Sequence, residues 1–209
     1  MGRLRIKRVG VMGGTFDPIH TGHLVTAEEA LHQFGLDEVL FVPSAHPPHK
    51  EDRESLDPES RYIMAVIATA TNPCFRVSRL ELERPGPSYT IDTVRELRRL
   101  YGPNTEIYFI TGADAILEIL TWKEPEKLLR EALFIAATRP GYDLKRLEES
   151  LPEEEKARHA ESPRVLVMEI PALAISSTDI RRRVREGRPI TYLVPQGVKE
   201  FIEKNGFYR

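Results

Sequence analysis

At 209 residues, with 41% hydrophobic and 30% charged side chains, the chain is long enough for one α/β domain of ordinary size. Its formal net charge of −2 at pH 7 predicts no bulk attraction to nucleic acid or to a membrane surface, so any anion site must be built locally. Cys74 is the only cysteine, which excludes an internal disulfide and favours a cytoplasmic protein. No apolar run approaches the roughly 20 residues that a membrane-spanning helix needs.

Strand-like and helix-like segments alternate along the chain. Short apolar runs predict strands at 7–12, 38–42, 75–78, 107–111, 133–137 and 165–170. Helical patterns and end signals predict helices at 24–34, 58–70, 91–100, 144–159 and 179–186, and a last helix that Pro195 opens and Gly206 closes. Asp57, Thr90 and Ser177 are the predicted N-caps of three of them. This order predicts a parallel sheet covered by helices on both faces, with ligands beyond the carboxyl ends of its strands.

The most informative stretch reads GVMGGTFDPIHTGH at residues 10–23. A strand leads into Gly13 and Gly14, which lack a Cβ and so let backbone N–H groups approach a phosphate closely. After a turn at Asp17-Pro18, Thr21 is a plausible N-cap for the next helix.

Two histidines flank that helix start. His23 then falls in the first helical turn and His20 just outside it, where the helix dipole favours an anion. The spacing predicts that both imidazoles and the amides of residues 13–16 converge on one phosphate group. The alternative is an ordinary tight turn with two structural histidines. The stretch matches neither the dinucleotide-binding glycine fingerprint nor the P-loop, which disfavours a dehydrogenase or a P-loop ATPase.

This stretch resembles the adenylyltransferase branch of the nucleotidyltransferase superfamily, whose signature motif is (H/T)-x-G-H. ISSTDIR at 175–181 resembles the ISSTxIR motif near the C-terminus of that family. Between them, PPHK at 47–50, SYT at 88–90 and GAD at 112–114, with Trp122, resemble bacterial nicotinate-nucleotide adenylyltransferases. The resemblance covers nearly the whole chain, in the expected order.

The resemblance implies a Rossmann-like nucleotidyltransferase fold in a single domain over residues 1–209, with the second motif and the C-terminal helices at 175–209. It also implies the reaction: the adenylyl group of ATP passes to nicotinate mononucleotide, giving deamido-NAD and pyrophosphate in NAD biosynthesis. A phosphate monoester with a second pKa near 6 needs no general base at pH 7. Catalysis then reduces to alignment and to charge stabilisation, without a covalent intermediate.

The expected site residues fall into three groups. The catalytic group is His20, His23, Lys50 and Arg181; the ATP-binding group is Gly13, Gly14, Thr15, Phe16, Asp114, Ser177 and Thr178. The nicotinate-nucleotide group is Ser88, Tyr89, Thr90, Trp122 and Arg139. The resemblance implies that Ser177 and Arg181 contact the ATP phosphates, that Asp114 holds a ribose hydroxyl and that Trp122 stacks on the pyridine ring. If both motifs bind one triphosphate, they must meet in space.

Several alternatives stay open at this stage. Asp114 is also a candidate helix N-cap. His46 and His49 form an H-x-x-H pair, which together with His20 and His23 resembles a metal site. We disfavour that metal site and expect Mg²⁺ to arrive with ATP, held mainly by its phosphates, so no protein metal ligand is named. The closest functional alternatives are adenylyl transfer to nicotinamide mononucleotide or phosphopantetheine, and a non-catalytic nucleotide-binding module. A homo-oligomer is compatible with the sequence.

Overall fold

Six strands alternate with helices in the computed structural model, which describes residues 7–45, 55–138, 164–171 and 174–209. The strands are β1 (Lys7–Gly14), β2 (Glu38–Pro43), β3 (Phe75–Val77), β4 (Thr105–Gly112), β5 (Leu133–Thr138) and β6 (Val165–Glu169). The helices are α1 (Thr21–Gln33), α2 (Pro58–Thr69), α3 (Leu80–Glu83), α4 (Thr90–Tyr101), α5 (Ala113–Leu117), α6 (Pro125–Glu131), α7 (Ser177–Arg185) and α8 (Gln196–Asn205). All six predicted strands are confirmed, whereas the helix predicted at 144–159 lies outside the described residues.

The strands form one sheet in the order β3-β2-β1-β4-β5-β6, and every neighbouring pair is parallel. The chain leaves β1 toward β2 on one side and returns to β4 on the other, so the order reverses between β1 and β4. Ligands bind parallel sheets at such a reversal, outside the carboxyl ends of the strands. The motif at residues 10–23 begins in β1 and therefore leaves the sheet at this point.

Helices cover both faces of the sheet, as the sequence predicts. One apolar cluster joins the sheet to α4, α5 and α6, and a second joins it to α1, α2, α7 and α8. The strands between these clusters are buried on both faces, which explains their continuous apolar runs. None of the helices in the described ranges combines the length and apolar character that a membrane span requires.

The predicted helix ends are partly confirmed. Asp57 caps α2, because its Oδ1 accepts the Ser60 N–H at 2.9 Å. Gly102 and Gly206 end α4 and α8 with left-handed φ angles of 88° and 67°.

Three predicted N-caps are wrong by one residue. The N-caps are His20, Tyr89 and Ser176, and the predicted Thr21, Thr90 and Ser177 are the first residues inside their helices. At α7 the reason is direct, since the Ser176 hydroxyl and not that of Ser177 accepts the Asp179 N–H at 3.2 Å. At α1 and α4 an extended backbone starts the helix without a side-chain hydroxyl cap.

The close packing of β1 yields a test at Gly10. A Cβ at this position would lie 2.8 Å from Leu36 Cδ1 and 3.1 Å from both Ile110 Cδ1 and Val39 Cγ2. Gly10→Val should therefore lower the free energy of unfolding by about 1–3 kcal/mol through overpacking. Gly112→Val is the matched control, because a Cβ there meets no atom within 4 Å. Urea unfolding that gives both variants the same midpoint would contradict this account of β1 packing.

Candidate active site

The loop from Gly13 to His20, which joins β1 to α1, forms one wall of the site. A Cβ on Gly13 would lie 3.0 Å from the Phe109 ring, and one on Gly14 would lie 3.2 Å from the Phe16 ring. The glycine pair thus makes room for two aromatic rings, a packing reason that adds to the expected approach of a phosphate. Phe16 itself has a φ of 51°, a left-handed conformation that is costly for a residue with a Cβ.

The two histidines of the motif stack on each other. Their ring centroids lie 3.7 Å apart with an interplanar angle of 29°. The backbone N–H of His20 donates to His23 Nδ1 at 3.1 Å. Since Nδ1 accepts, the proton of a neutral His23 ring lies on Nε2, which becomes a hydrogen-bond donor. His20 is 8% exposed and caps α1 with His23, because the side chain of each histidine faces the backbone N–H of the other.

Burial keeps both rings neutral at pH 7. It lowers the pKa of His20 from 6.5 to about 4. Burial, followed by the neighbouring His20, also lowers the pKa of His23 well below its ordinary range. A bound phosphate would oppose this shift, because an adjacent anion favours the charged imidazolium.

The second motif meets the first across the sheet end, as expected if both serve one ligand. Ser177 Oγ donates to the Pro18 carbonyl at 2.9 Å, and Arg181 Nη1 donates to the Asp17 carbonyl at 2.7 Å. Arg181 Nε is buried and has no hydrogen-bond partner among the residues that the structure describes. Arg181 lies in the second turn of α7, and Thr178 is exposed.

Asp17 connects three parts of the chain that the sequence does not link. Its carboxylate is buried and accepts from Tyr208 Oη at 2.6 Å and from Ser55 Oγ at 3.2 Å, and Arg181 Nη1 lies 3.8 Å from Oδ2. Burial and this carboxylate raise the pKa of Tyr208. Sequence reasoning assigned Asp17 only to a turn, and neither Tyr208 nor Ser55 lies in a motif that could have revealed the contact.

A cavity of about 590 Å³ opens at the carboxyl ends of β1, β4 and β5, a volume typical of small-molecule sites. His20, His23, Gly13 and Asp114 line it, so the structure brings four of the predicted residues together. Asp114 is the second residue of α5, and the alternative reading as an N-cap is wrong because Gly112 holds that position. Sequence reasoning missed further lining residues, including Val25, Thr26, Thr138, Ile170 and Pro171.

None of the predicted acceptor residues that the structure describes lines this cavity. Trp122 packs edge-on against Phe109 and Phe134, with ring centroids 6.1 and 6.4 Å apart, and is partly buried. Tyr89 belongs to the same apolar cluster, and Lys123 Nζ lies 4.5 Å from the centre of its ring. Phe109 also faces Gly13, so its ring packs near both Trp122 and the loop.

The start of α4 carries the remaining described acceptor residues. Ser88 precedes this helix and is 9% exposed, and its buried Oγ lies near the Glu81 carboxyl group. Thr90 is the first helical residue. Lys50, Arg139 and the His46–His49 pair lie outside the described residues, so their predicted roles stay predictions. Among the residues that the structure describes, no group of three or more His, Cys, Asp and Glu side chains is arranged to hold a metal ion.

The family model described as cytidylyltransferase-like matches residues 11–183, a range that contains the glycine pair and the histidine pair, so the chain is a cytidylyltransferase-like protein. The chain belongs, within this class, to the nicotinate-nucleotide adenylyltransferase family. It is 61% identical to a Moorella thermoacetica protein named "Probable nicotinate-nucleotide adenylyltransferase", over 97% of this chain and 92% of the relative. A protein of the same name from Thermoanaerobacter is 52% identical, over 97% and 94% of the two chains.

A solved structure shares the fold. The Plasmodium falciparum nicotinic acid mononucleotide adenylyltransferase complexed with NaAD has a TM-score of 0.73 and 23% identity, and the match covers 97% of each chain. At that identity the likeness shows the fold alone, a six-stranded parallel sheet flanked by helices.

The neutral histidines yield a pH prediction for stability. With a folded pKa of about 4 for His20 against 6.5 unfolded, the unfolded state binds more protons between these values. The contribution of His20 to the free energy of unfolding is therefore complete above pH 6.5 and is lost as the pH drops toward 4. At pH 5 the loss from this residue is roughly 2 kcal/mol. Urea unfolding at pH 7.5 and 5.0 should show a smaller loss in His20→Asn than in the wild type. Equal losses in both proteins would refute the assignment.

Proposed function

We propose that this chain transfers the adenylyl group of ATP to nicotinate mononucleotide and releases deamido-NAD and pyrophosphate, a step of NAD biosynthesis. The observation that carries the proposal is the stacked, neutral pair His20 and His23 at the start of α1, facing the cavity where the strand order reverses. Membership of the family supplies the substrate pair, and the geometry supplies a mechanism for joining them.

The reaction is an in-line displacement at the α-phosphorus of ATP. A phosphate oxygen of the mononucleotide forms the new bond, and the bond from the α-phosphorus to the bridging oxygen breaks, so the electron pair leaves with pyrophosphate. The attacking phosphate has a second pKa near 6 and is largely dianionic at pH 7, so no general base is required. The protein then has to align the two phosphates and stabilise the negative charge between them.

The histidines are suited to that task. His23 accepts the His20 N–H at Nδ1, which leaves its Nε2–H to donate to an oxygen of the transferring phosphate. His20 also lines the cavity, so a ring nitrogen that carries a proton can donate to the same anion. Because both imidazoles are neutral at rest, they add hydrogen-bond donors without a permanent charge, and they gain positive character as the phosphate binds.

The ATP tail is proposed to lie along the loop and the start of α7. Gly13 and Asp114 line the cavity, which supports contacts with the phosphates and the ribose respectively. Gly14, Thr15, Phe16, Ser177 and Thr178 complete the proposed ATP set, together with Arg181. Ser177 and Arg181 already bond to loop carbonyls, which supports an additional role for both in holding the loop in place.

The start of α4 is the proposed acceptor side. Amide groups at a helix N-terminus suit a carboxylate, and Ser88 adds a hydroxyl beside Tyr89 and Thr90. Trp122 would offer a ring face to the cationic pyridine. Lys50 and Arg139 are proposed to contact the phosphate and the acceptor by resemblance to the family alone.

Mg²⁺ is proposed to enter as part of the ATP complex, held by phosphate oxygens, where it neutralises charge on the triphosphate. Asp17 is the buried carboxylate of the loop, and its oxygens already accept from Tyr208 and Ser55. The loop therefore offers no uncommitted carboxylate for the ion.

A cytoplasmic location, a homo-oligomer and the absence of a nucleic-acid partner stay predictions. A single domain over residues 1–209 is supported by α7 and α8, which share one apolar cluster with α1 and α2.

The choice of acceptor is the direct test of this function. Pyrophosphate release should be measured with ATP and Mg²⁺ and with nicotinate mononucleotide, nicotinamide mononucleotide or phosphopantetheine. We expect kcat/KM for the acid nucleotide to exceed the others by about 10- to 100-fold, the worth of charge-assisted hydrogen bonds to its carboxylate. A preference for another acceptor would overturn the proposed acceptor side. ATP binding without turnover on any acceptor would favour a nucleotide-binding module.

The histidine pair is tested by substitution. His20→Ala and His23→Ala should each lower kcat by about 10²–10³-fold, the usual effect of removing one preorganised donor. His32→Ala is a matched control, since His32 is an exposed histidine in the last turn of the same helix, and its kcat should match the wild type. Circular dichroism must show that all three variants fold. Near-normal turnover in both test variants would refute the proposed role of the pair.

A further inference from the structure

Arg61 in α2 is a buried cation that no motif singles out. It is only 1% exposed, and the four hydrogen bonds that it makes within the described ranges all go to backbone carbonyl groups. Nη1 donates to the carbonyls of Thr15 at 2.6 Å and Ser44 at 2.7 Å. Nε donates to Leu56 at 2.9 Å, and Nη2 lies 3.5 Å from the Ala45 carbonyl.

These contacts tie together two segments that leave neighbouring strands. Thr15 follows β1 in the loop that carries the histidine pair, and Ser44 and Ala45 follow β2. The Ser44 N–H also donates to the Gly14 carbonyl at 2.9 Å, so the two segments are joined directly as well as through Arg61. A planar fork with donors in several directions fits this set of acceptors, which a single ammonium group cannot serve in full.

The guanidinium is kept charged in spite of its burial. Burial lowers the pKa of Arg61, and the nearby Asp17 carboxylate opposes this effect. Removal of the guanidinium would leave two buried and two part-buried carbonyls without this donor, which costs more than the loss of an exposed ion pair. This accounts for a structural contribution, but the position of Thr15 points to a second role.

Arg61 can influence the site through the Thr15–Phe16 peptide, whose carbonyl it binds. In a planar trans peptide the N–H points opposite to the C=O, so a Thr15 carbonyl held toward α2 directs the Phe16 N–H away from α2. A cation on the carbonyl also polarises the peptide and strengthens its N–H as a donor. Phe16 is in the left-handed region, and its ring contacts that of His23 with centroids 5.2 Å apart, so a rotated peptide would also disturb the histidine.

We propose that Arg61 is a positioning residue for adenylyl transfer, which acts through the Thr15–Phe16 peptide to aim the Phe16 N–H at the transferring phosphate and to hold His23 in place. This inference rests on the proposed function. Arg61 itself touches no substrate; it sets the orientation of groups that do.

The test compares Arg61→Gln and Arg61→Lys with the wild type in steady-state pyrophosphate release. Arg61→Gln should lower kcat by about 10- to 100-fold while KM for ATP changes less than about threefold, because a misaimed donor is lost mainly from the transition state. Arg61→Lys should recover part of kcat, since an ammonium can still hold the Thr15 carbonyl.

Ile67→Ala is the matched control for loss of stability. Ile67 lies on the same helix and packs against α8, where a Cβ on Gly197 would lie 2.7 Å from Ile67 Cγ2, and it bonds to no loop carbonyl. Assays are run well below the melting temperature of every variant, so that all molecules are folded. If Arg61→Gln and Arg61→Lys both keep kcat within about twofold of Ile67→Ala, the role is structural and the proposal fails. If Arg61→Gln does not fold, the same comparison of kcat is made between Arg61→Lys and Ile67→Ala alone.

Amide hydrogen exchange separates this inference from the proposed function. Exchange in the segment 13–17 should be faster in Arg61→Gln than in the wild type and unchanged in Ile67→Ala, whatever the substrate. Equal exchange in both variants would overturn the positioning role even if adenylyl transfer is confirmed. Faster exchange in Arg61→Gln alone, with a wild type that does not transfer adenylyl groups, would support the role in the loop and refute the function.

Discussion

Carbonyl groups of the loop between β1 and α1 accept hydrogen bonds from side chains on two other helices, and the site depends on these bonds. Thr15 is held by Arg61 of α2, Asp17 by Arg181 of α7 and Pro18 by Ser177 of α7. The loop contains a non-glycine residue in the left-handed region, a conformation that persists only where the surroundings hold it. The donors come from sequence positions up to 164 residues away, so the loop takes its conformation only when the fold is complete.

The same arrangement explains how a chain of net charge −2 builds an anion site. The cations Arg61 and Arg181 bond to carbonyls of the loop, and the two histidines are kept neutral by burial. The site therefore offers hydrogen-bond donors and polarised peptides in place of a concentration of exposed charge. Such preorganised dipoles stabilise charge that develops during a reaction without needing to reorganise.

Much of the fold was predictable, and the errors have physical causes. The six strands are found because parallel strands buried on both faces read as continuous apolar runs. Helices α3, α5 and α6 were missed because four to seven residues are too few for a helical period to stand out. The N-caps at α1, α4 and α7 were misplaced by one residue because adjacent residues compete for the position and the backbone geometry decides between them.

The sequence by itself determined the alternation of strands and helices, the loop with its glycine pair and two histidines, and the family to which the chain belongs. These are local patterns, set by residues close together in the chain. Only the tertiary structure decided that Asp17 accepts from Tyr208 and Ser55, that Arg61 is buried against three segments, and that Phe109 packs near both Trp122 and the loop. Such contacts join residues distant in sequence, and they depend on the direction of individual side chains and carbonyls, which follows from packing and leaves no period or motif in the sequence.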